Sequence, residues 1–310
     1  MQQHKHPRIV FMGSVEFSDY CLYETLKHNG NIVGVITLDP MYSSRHSDYS
    51  DLSQTAIKHS IPYYKIKNIS NPESLNILTD LQPDYLFVFG WSQLLSEEVL
   101  SAPNIGCIGT HPALLPRNRG RHPLIWSLIN NEDKGGLTFL YLDSGVDSGD
   151  IVWQKSFDIT QIDDAGTLYA KIKSLAAEAI PELLRDMTRG PLKGTKQNDQ
   201  VSNYLRKRSE KDGEIDWSQP ANQIQNLVRA LTHPYVGAHS YYDGDKITIW
   251  RTRILDIVQD HYFRIKPGAI FEYDNKFPCV ATKSQPIQIL NYDISNNNML
   301  ENGSYLGQNI

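Results

Sequence analysis

The sequence predicts an α/β protein, in which a Rossmann-like, mostly parallel sheet precedes a smaller, open β-barrel of OB-like type. Three observations carry this. Apolar runs at 8–13, 31–37 and 84–90 alternate with helical patterns, the signature of β-α-β units with helices on both faces of the sheet. Residues 192–209 are polar and weakly periodic, as expected of a linker. Beyond them, one amphipathic helix is followed by several short strands. The implied organisation is a catalytic domain over 1–191, a linker over 192–209 and a barrel domain over 210–310. A chain of 310 residues is long enough to bury two cores.

In order, the strand at 8–13 ends on Gly13 and leads to a helix over 16–29, closed by Asn29-Gly30. The strand at 31–37 is followed by an aperiodic polar stretch, 39–51. A helix at 53–59, a strand at 61–66, and a helix opened by Asn71-Pro72 come next. The strand at 84–90 is strongly apolar. After residues 105–121 a helix runs from 122 to 130. Strands at 136–142 and 151–159 flank an acidic, glycine-containing turn, a hairpin pattern. Asp163 or Asp164 caps a long helix that stops near Gly190-Pro191. In the second domain a helix entered by Pro220-Ala221 precedes strands at 238–242, 246–253, 268–273 and 286–292. Asp243-Gly244 turns the first pair.

Composition narrows the function classes. The chain is 40% hydrophobic with a formal net charge of -5, which supplies no electrostatic grip on nucleic acid. Three well-separated cysteines form neither a disulfide framework nor a zinc pattern, so a reducing compartment and no metal are expected. No run approaches the ~20 apolar residues that span a bilayer, and residues 1–7 lack a signal-peptide core. A cytoplasmic protein with no membrane or nucleic-acid partner is the expectation. Neither a G-x-G-x-x-G nor a P-loop pattern occurs, so the Rossmann-like layout comes without a dinucleotide or nucleoside-triphosphate fingerprint.

In such sheets ligands bind beyond the carboxyl ends of the strands. His111 falls there, on a backbone stiffened by Pro112 and Pro116. Alone it reads first as a structural histidine in a proline-stiffened loop. Asp147, in the hairpin turn, offers it a carboxylate partner, giving the pairing of a general base with the group that orients it.

The two stretches together, Gly106-Cys-Ile-Gly-Thr-His-Pro-Ala-Leu-Leu-Pro-Arg-Asn-Arg-Gly120 and Gly145-Val-Asp-Ser-Gly-Asp150, resemble the signature pair of the folate-dependent formyltransferases, the family that includes methionyl-tRNA formyltransferase. The resemblance extends to Asp212-Gly-Glu-Ile-Asp-Trp217 and so covers nearly the whole chain. It implies transfer of a formyl group from N10-formyltetrahydrofolate to an amine. His111 would take the proton of the attacking nitrogen, with Asp147 orienting it. It also implies folate contacts by Gln93, Leu94 and Leu95, by the turn residues Asp143, Ser144, Gly145 and Val146, and by Arg121. Leu94 and Leu95 read equally as the apolar start of a helix, and Arg121 as a solvated surface residue.

One departure bears on activity. The family pattern is Asn-x-His, and here Gly109 stands in place of the asparagine that donates to the developing oxyanion. Loss of such a donor costs about 10²- to 10³-fold in rate. Either another donor serves, such as Thr110, His122, a backbone N–H or His111 itself, or the protein is a non-catalytic binder of folate or nucleotide sugar.

For the amine, the loop 39–51 carries one Arg, one His, three Asp and two Tyr, which argues against tRNA phosphates. Phe89-Gly-Trp-Ser92, residues 116–123 and residues 204–217 resemble the nucleotide-sugar N-formyltransferases of the pseudaminic acid type. That branch implies a UDP-linked 4-amino-4,6-dideoxy sugar of surface-glycan biosynthesis, with methionyl-tRNA as the alternative acceptor and a homodimer as the assembly. Arg117 and Arg119 could meet the diphosphate, or Arg119 could hold its loop. Trp91 could pack on a ligand or in the core, and Tyr204 could stack on uracil.

Overall fold

The structure, a computed structural model, describes residues 6–45, 47–256, 264–272, 277–294 and 299–307. The chain packs as two compact units, one of residues 1–123, 135–157 and 170–206, the other of residues 124–134, 158–169 and 207–310.

The first unit is built on a seven-stranded sheet. Its strands are β1 (Ile9–Gly13), β2 (Ile32–Leu38), β3 (Tyr63–Ile66), β4 (Tyr85–Val88), β5 (Gly106–His111), β7 (Lys134–Tyr141) and β8 (Ile151–Asp158), in the order β3-β2-β1-β4-β5-β7-β8. Strands β3 through β5 run parallel, and β7 pairs antiparallel with β5. The helices are α1 (Glu16–Lys27), α2 (Ser53–Lys58), α3 (Pro72–Leu81), α4 (Glu97–Ser101) and most of α6 (Ala165–Met187). The parallel sheet read from the alternating apolar runs is present. The polar stretch 39–51 holds a 3-10 turn at Pro40–Arg45, and two two-residue strands, β6 (Arg119–Gly120) and β9 (Tyr204–Leu205), pair outside the main sheet.

β1 and β4 are buried along their whole length, as continuous apolar runs in a doubly covered sheet should be. Aromatic rings tie adjacent strands together. Phe89 stacks on Phe87 at 4.9 Å and meets Phe11 and Phe139 edge-on at 5.4 and 5.2 Å. The first turn, where a dinucleotide fold would leave backbone nitrogens free for phosphate, is closed by protein. Ser18 Oγ accepts from the Ser14 and Val15 nitrogens at 3.2 Å each and donates to the Phe89 carbonyl at 2.5 Å.

Strand order reverses direction between β1 and β4. A crevice for ligand lies at such a reversal, beyond the carboxyl ends of the strands. Under it sits a buried cluster that includes Met12, Val88, Val99 and Cys107, with Trp91, Leu95 and Leu142 packed against it.

The second unit contains α5 (Pro123–Ile129), α7 (Ala221–Leu231) and a five-stranded antiparallel sheet. The sheet strands are β10 (Ala238–Tyr242), β11 (Asp245–Ile254), β12 (Ile270–Phe271), β13 (Cys279–Val280) and β14 (Ile287–Ile294), in the order β10-β11-β14-β13-β12. This is the small barrel-like domain expected. Tyr273, the predicted end of one strand, lies outside the described residues. α7 buries Ile224, Val228 and Leu231 along one face, and Trp217 is anchored by a 3.0 Å bond from Nε1 to Ser240 Oγ.

Among the described residues no helix is long and apolar enough to cross a membrane, and no group of three or more His, Cys, Asp or Glu is arranged to hold a metal. Cys21, Cys107 and Cys279 are buried and form no disulfide. Burial pushes the Cys107 thiol up to about 12 and lifts that of Cys21 well above its ordinary value. Iodoacetamide at pH 8 is therefore expected to modify none of the three in the folded protein and all three in denaturant, as read by intact mass; labelling of Cys107 in the native state would contradict this burial.

Candidate active site

His111 is the last residue of β5, opposite Thr138 on β7. The loop that follows it is held from below. Thr138 Oγ1 donates to the Ala113 carbonyl at 2.6 Å, and Gln154 Nε2 donates to the Leu115 carbonyl at 2.9 Å. Leu115 is buried, so the Leu-Leu-Pro stretch anchors the segment in the core.

The imidazole is almost wholly enclosed, with 5% of the side chain exposed, while Asp147 retains 21%. Nε2 lies 2.7 Å from the Asn118 carbonyl oxygen. A carbonyl only accepts, so Nε2 carries a hydrogen, and the ring orientation assigned on this basis leaves Nδ1 towards Asp147. Nδ1 to Asp147 Oδ2 is 3.5 Å, an ion-pair distance and longer than a hydrogen bond. That contact becomes attractive when Nδ1 is also protonated. The arrangement places a carboxylate where it could balance charge on a ring protonated at Nδ1.

Asp147 is placed by an unusual backbone. Its φ is +52°, in the left-handed region. Two residues on, a Cβ at Gly149 would come within 1.9 Å of the Tyr141 carbonyl, so only glycine lets the hairpin close this tightly. The Asp143 carboxylate braces the turn, accepting from Gly145 N at 3.0 Å and from Ser148 Oγ at 2.9 Å. Gly120 N donates to Asp147 Oδ2 at 2.8 Å, so the carboxylate is tied to the loop that also presents the Asn118 carbonyl.

The structure brings His111 and Asp147 together across 36 residues of sequence. Trp91, Gln93, Leu94 and Leu95 follow β4 at its carboxyl end, on the crevice side. Leu94 is 72% exposed and Leu95 packs inward, before α4 begins at Glu97. Gln93 donates to the Lys67 carbonyl at 2.8 Å, yet its Oε1 is buried without a partner, as is Trp91 Nε1. Buried polar atoms without partners are rare in protein interiors. A donor and an acceptor left in this state beside the crevice fit a polar heterocycle such as a pterin. Ser144, Gly145 and Val146 form the exposed tip of the hairpin beside the braced Asp143. Arg117 and Arg121 are exposed.

Arg119 is turned inward and is only 2% exposed. Its guanidinium reaches Gln197 Oε1 at 2.8 Å, Asp199 Oδ1 at 2.7 Å and the Tyr204 hydroxyl at 3.0 Å. A diphosphate could meet Arg119 only if it left these partners. Tyr204 is 59% exposed, with the guanidinium 5.7 Å above its ring.

Gly109 shares a face of β5 with His111, two residues apart. A Cβ there would lie 2.4 Å from Leu142 Cδ2 and 2.9 Å from Leu142 Cγ. The space an asparagine would need is filled by Leu142.

Residues 8–184 match the family described as formyl transferase, and residues 207–309 match the formyl transferase C-terminal domain. The chain belongs to the formyl transferase family. It is 33% identical over 268 residues to a methionyl-tRNA formyltransferase of Caldanaerobacter subterraneus, covering 86% of this chain and 85% of that one. Among solved structures, it resembles an N-formyltransferase from Helicobacter canadensis in complex with folinic acid and dTDP-3-aminofucose. The TM-score is 0.66 at 17% identity, covering 91% of this chain and 98% of the other. It also resembles HypX from Aquifex aeolicus in complex with tetrahydrofolic acid, with a TM-score of 0.67 at 18% identity over 93% of this chain; the matched part is 44% of HypX. At these identities the likeness is one of fold.

Several residues that build the site carry no local signal in the sequence: Asn118, Gly120, Leu142, Gln197 and Asn203. Asn118 meets His111 across seven residues and the others act through contacts 27 or more residues away, whereas periodicity reports only near neighbours along the chain.

Proposed function

We propose that this formyl transferase moves a formyl group from N10-formyltetrahydrofolate to the amine of a nucleotide-linked amino sugar. The His111–Asp147 pair, held at the carboxyl end of β5, is the observation that carries the transfer chemistry. When bound, the folate supplies an activated formyl group. The orphaned Trp91 Nε1 and Gln93 Oε1, with the backbone of 93–95 and the hairpin 143–146, would hold it. His111 takes a proton from the acceptor amine at Nδ1 as the amine bonds to the formyl carbon, and gives it back to folate N10 as the formyl–N10 bond breaks; Asp147 balances the charge in between, and the Asn118 carbonyl keeps the ring from turning. With Gly109 in place of an asparagine and its side-chain space filled, stabilisation of the formyl oxygen falls to the ring itself or to backbone N–H groups.

The acidic loop 39–51 and the exposed pair Arg117 and Arg121 support a small, diphosphate-bearing acceptor over a polyphosphate chain. A UDP-linked 4-amino-4,6-dideoxy sugar is the specific substrate we favour. Methionyl-tRNA is the second reading, supported by the relatives at 33% identity.

The test is to incubate the purified full chain with N10-formyltetrahydrofolate and UDP- and dTDP-linked amino sugars, and separately with initiator methionyl-tRNA. Mass spectrometry should find an added CO unit on a sugar and none on the tRNA. Formylation of methionyl-tRNA alone would replace the sugar reading. Folate binding with no formylated product would make the protein a binder.

A further inference from the structure

We infer that residues 195–205, polar and lacking periodicity, form a positioning strap for the catalytic pair, and that Gln197 and Asn203 are its working side chains. The segment is bound at both ends. Thr195 exchanges backbone hydrogen bonds with Ile151, at 2.8 and 2.9 Å, and β9 pairs in parallel with β6. Between these ends the strap grips both protein groups that face the His111 ring.

The first grip is on Asp147. Gln197 Nε2 donates to the Asp147 carbonyl at 2.8 Å and to the Gly149 carbonyl at 2.7 Å. Those two carbonyls flank the left-handed turn that aims the Asp147 carboxylate. A strained φ persists only where the surroundings over-determine it, and Gln197 spends both of its N–H donors on this turn. Its Oε1 accepts from Arg119 Nη2 at 2.8 Å and Nε at 3.2 Å, which fixes the amide orientation with its nitrogen towards the turn. Arg119 is itself locked by Asp199 and Tyr204, two further strap residues.

The second grip is on Asn118, whose carbonyl receives the His111 Nε2 hydrogen. Asn203 Oδ1 accepts from Asn118 N at 2.8 Å, and Asn203 Nδ2 donates to Asn118 Oδ1 at 3.1 Å. The Asn203 carbonyl accepts from Arg119 N at 3.1 Å. Asn118 also sits at a positive φ, +61°, so its peptide plane is set by this reciprocal amide pair. One segment therefore sets the positions of the group at Nε2 and the group at Nδ1. Displacement of a catalytic group by ~1 Å can cost about 10²-fold in rate.

The inference rests on the formyl-transfer reading of the site, so its test has one arm that needs no acceptor. Gln197→Leu, Gln197→Glu and Asn203→Ala are compared with the wild type in steady-state kinetics, using whichever acceptor is formylated. In parallel, the His111 imidazole resonances are followed by ¹⁵N-edited NMR without substrates, with thermal melting as the folding control. Each variant should lose about 10- to 100-fold in kcat with both KM values within about twofold, and the His111 resonances should shift. Gln197→Glu is the decisive variant: it keeps the acceptor for Arg119 but replaces the donor to both turn carbonyls with a second acceptor. It should fall as far as Gln197→Leu. Wild-type kcat in Gln197→Glu would show that Gln197 serves only to anchor Arg119 and would overturn the inference. So would unshifted His111 resonances in Asn203→Ala, whatever the acceptor proves to be.

Discussion

Replacing His111 with glutamine is expected to lower kcat for formyl transfer by about 10²- to 10⁴-fold, the range that a positioned general base contributes. Glutamine can still donate to the Asn118 carbonyl that now accepts from Nε2 at 2.7 Å, so the loop keeps its anchor and the protein its fold. What it cannot do is take up a proton at the position of Nδ1, 3.5 Å from Asp147. The loss should fall on kcat and leave folate affinity, measured by equilibrium titration, within a few-fold of wild type. Asp147→Asn should show a smaller loss, because the ring keeps its place while the charge opposite it disappears. Full activity in His111→Gln would end the role assigned to this residue. Full activity in Asp147→Asn would confine the aspartate to bracing its loop through Gly120.

Gly109→Asn is expected to destabilise the protein by about 1–3 kcal/mol, the usual cost of forcing atoms into a packed site. It should lower the transfer rate rather than raise it. By family pattern the substitution restores a donor, and by chemistry alone it would be read as a gain. The geometry argues otherwise, because a Cβ at 109 already meets Leu142 Cδ2 at 2.4 Å. Leu142 packs against the same buried cluster as Trp91 and Leu95, so pushing it aside disturbs the crevice floor. The double variant Gly109→Asn, Leu142→Ala makes room. Its stability loss should be smaller than the sum of the single losses, with an interaction of about 1 kcal/mol or more between two residues in direct contact. Differential scanning calorimetry on the four proteins measures this cycle. Strict additivity would mean that Leu142 swings away without cost and that the asparagine was lost for another reason.

Much of the fold was legible because the relevant patterns are local. Continuous apolar runs mark β1, β2 and β4 as strands buried on both faces, and the acidic turn between two strands marks the hairpin that carries Asp147. His111 at a strand end and Asp147 at a turn are readable from the same patterns, and the motifs around them point to the family. The segment 192–209 was not legible in this way. It is polar and aperiodic, as a solvated linker would be, yet within it Gln197, Asp199, Asn203 and Tyr204 each bond to a residue 48 or more positions away. β6 and β9, two residues each, are too short to leave any period at all.

Arg119 illustrates the limit most directly. In sequence it is one of three arginines at alternate positions, equally suited to a phosphate. In the fold it is among the largest fully buried side chains and is held by three groups of the strap, whereas Arg117 and Arg121 face solvent. The sequence by itself determined the layering of the sheet, the hairpin and the residue types of the His111–Asp147 pair, because strand periodicity and turn chemistry act between near neighbours. Only the tertiary structure decided that Leu142 fills the space beside Gly109, that Arg119 turns inward, and that one strap holds both partners of His111. Those outcomes depend on which side chains compete for the same volume and the same hydrogen-bond partners, and that competition is settled between segments far apart in the chain.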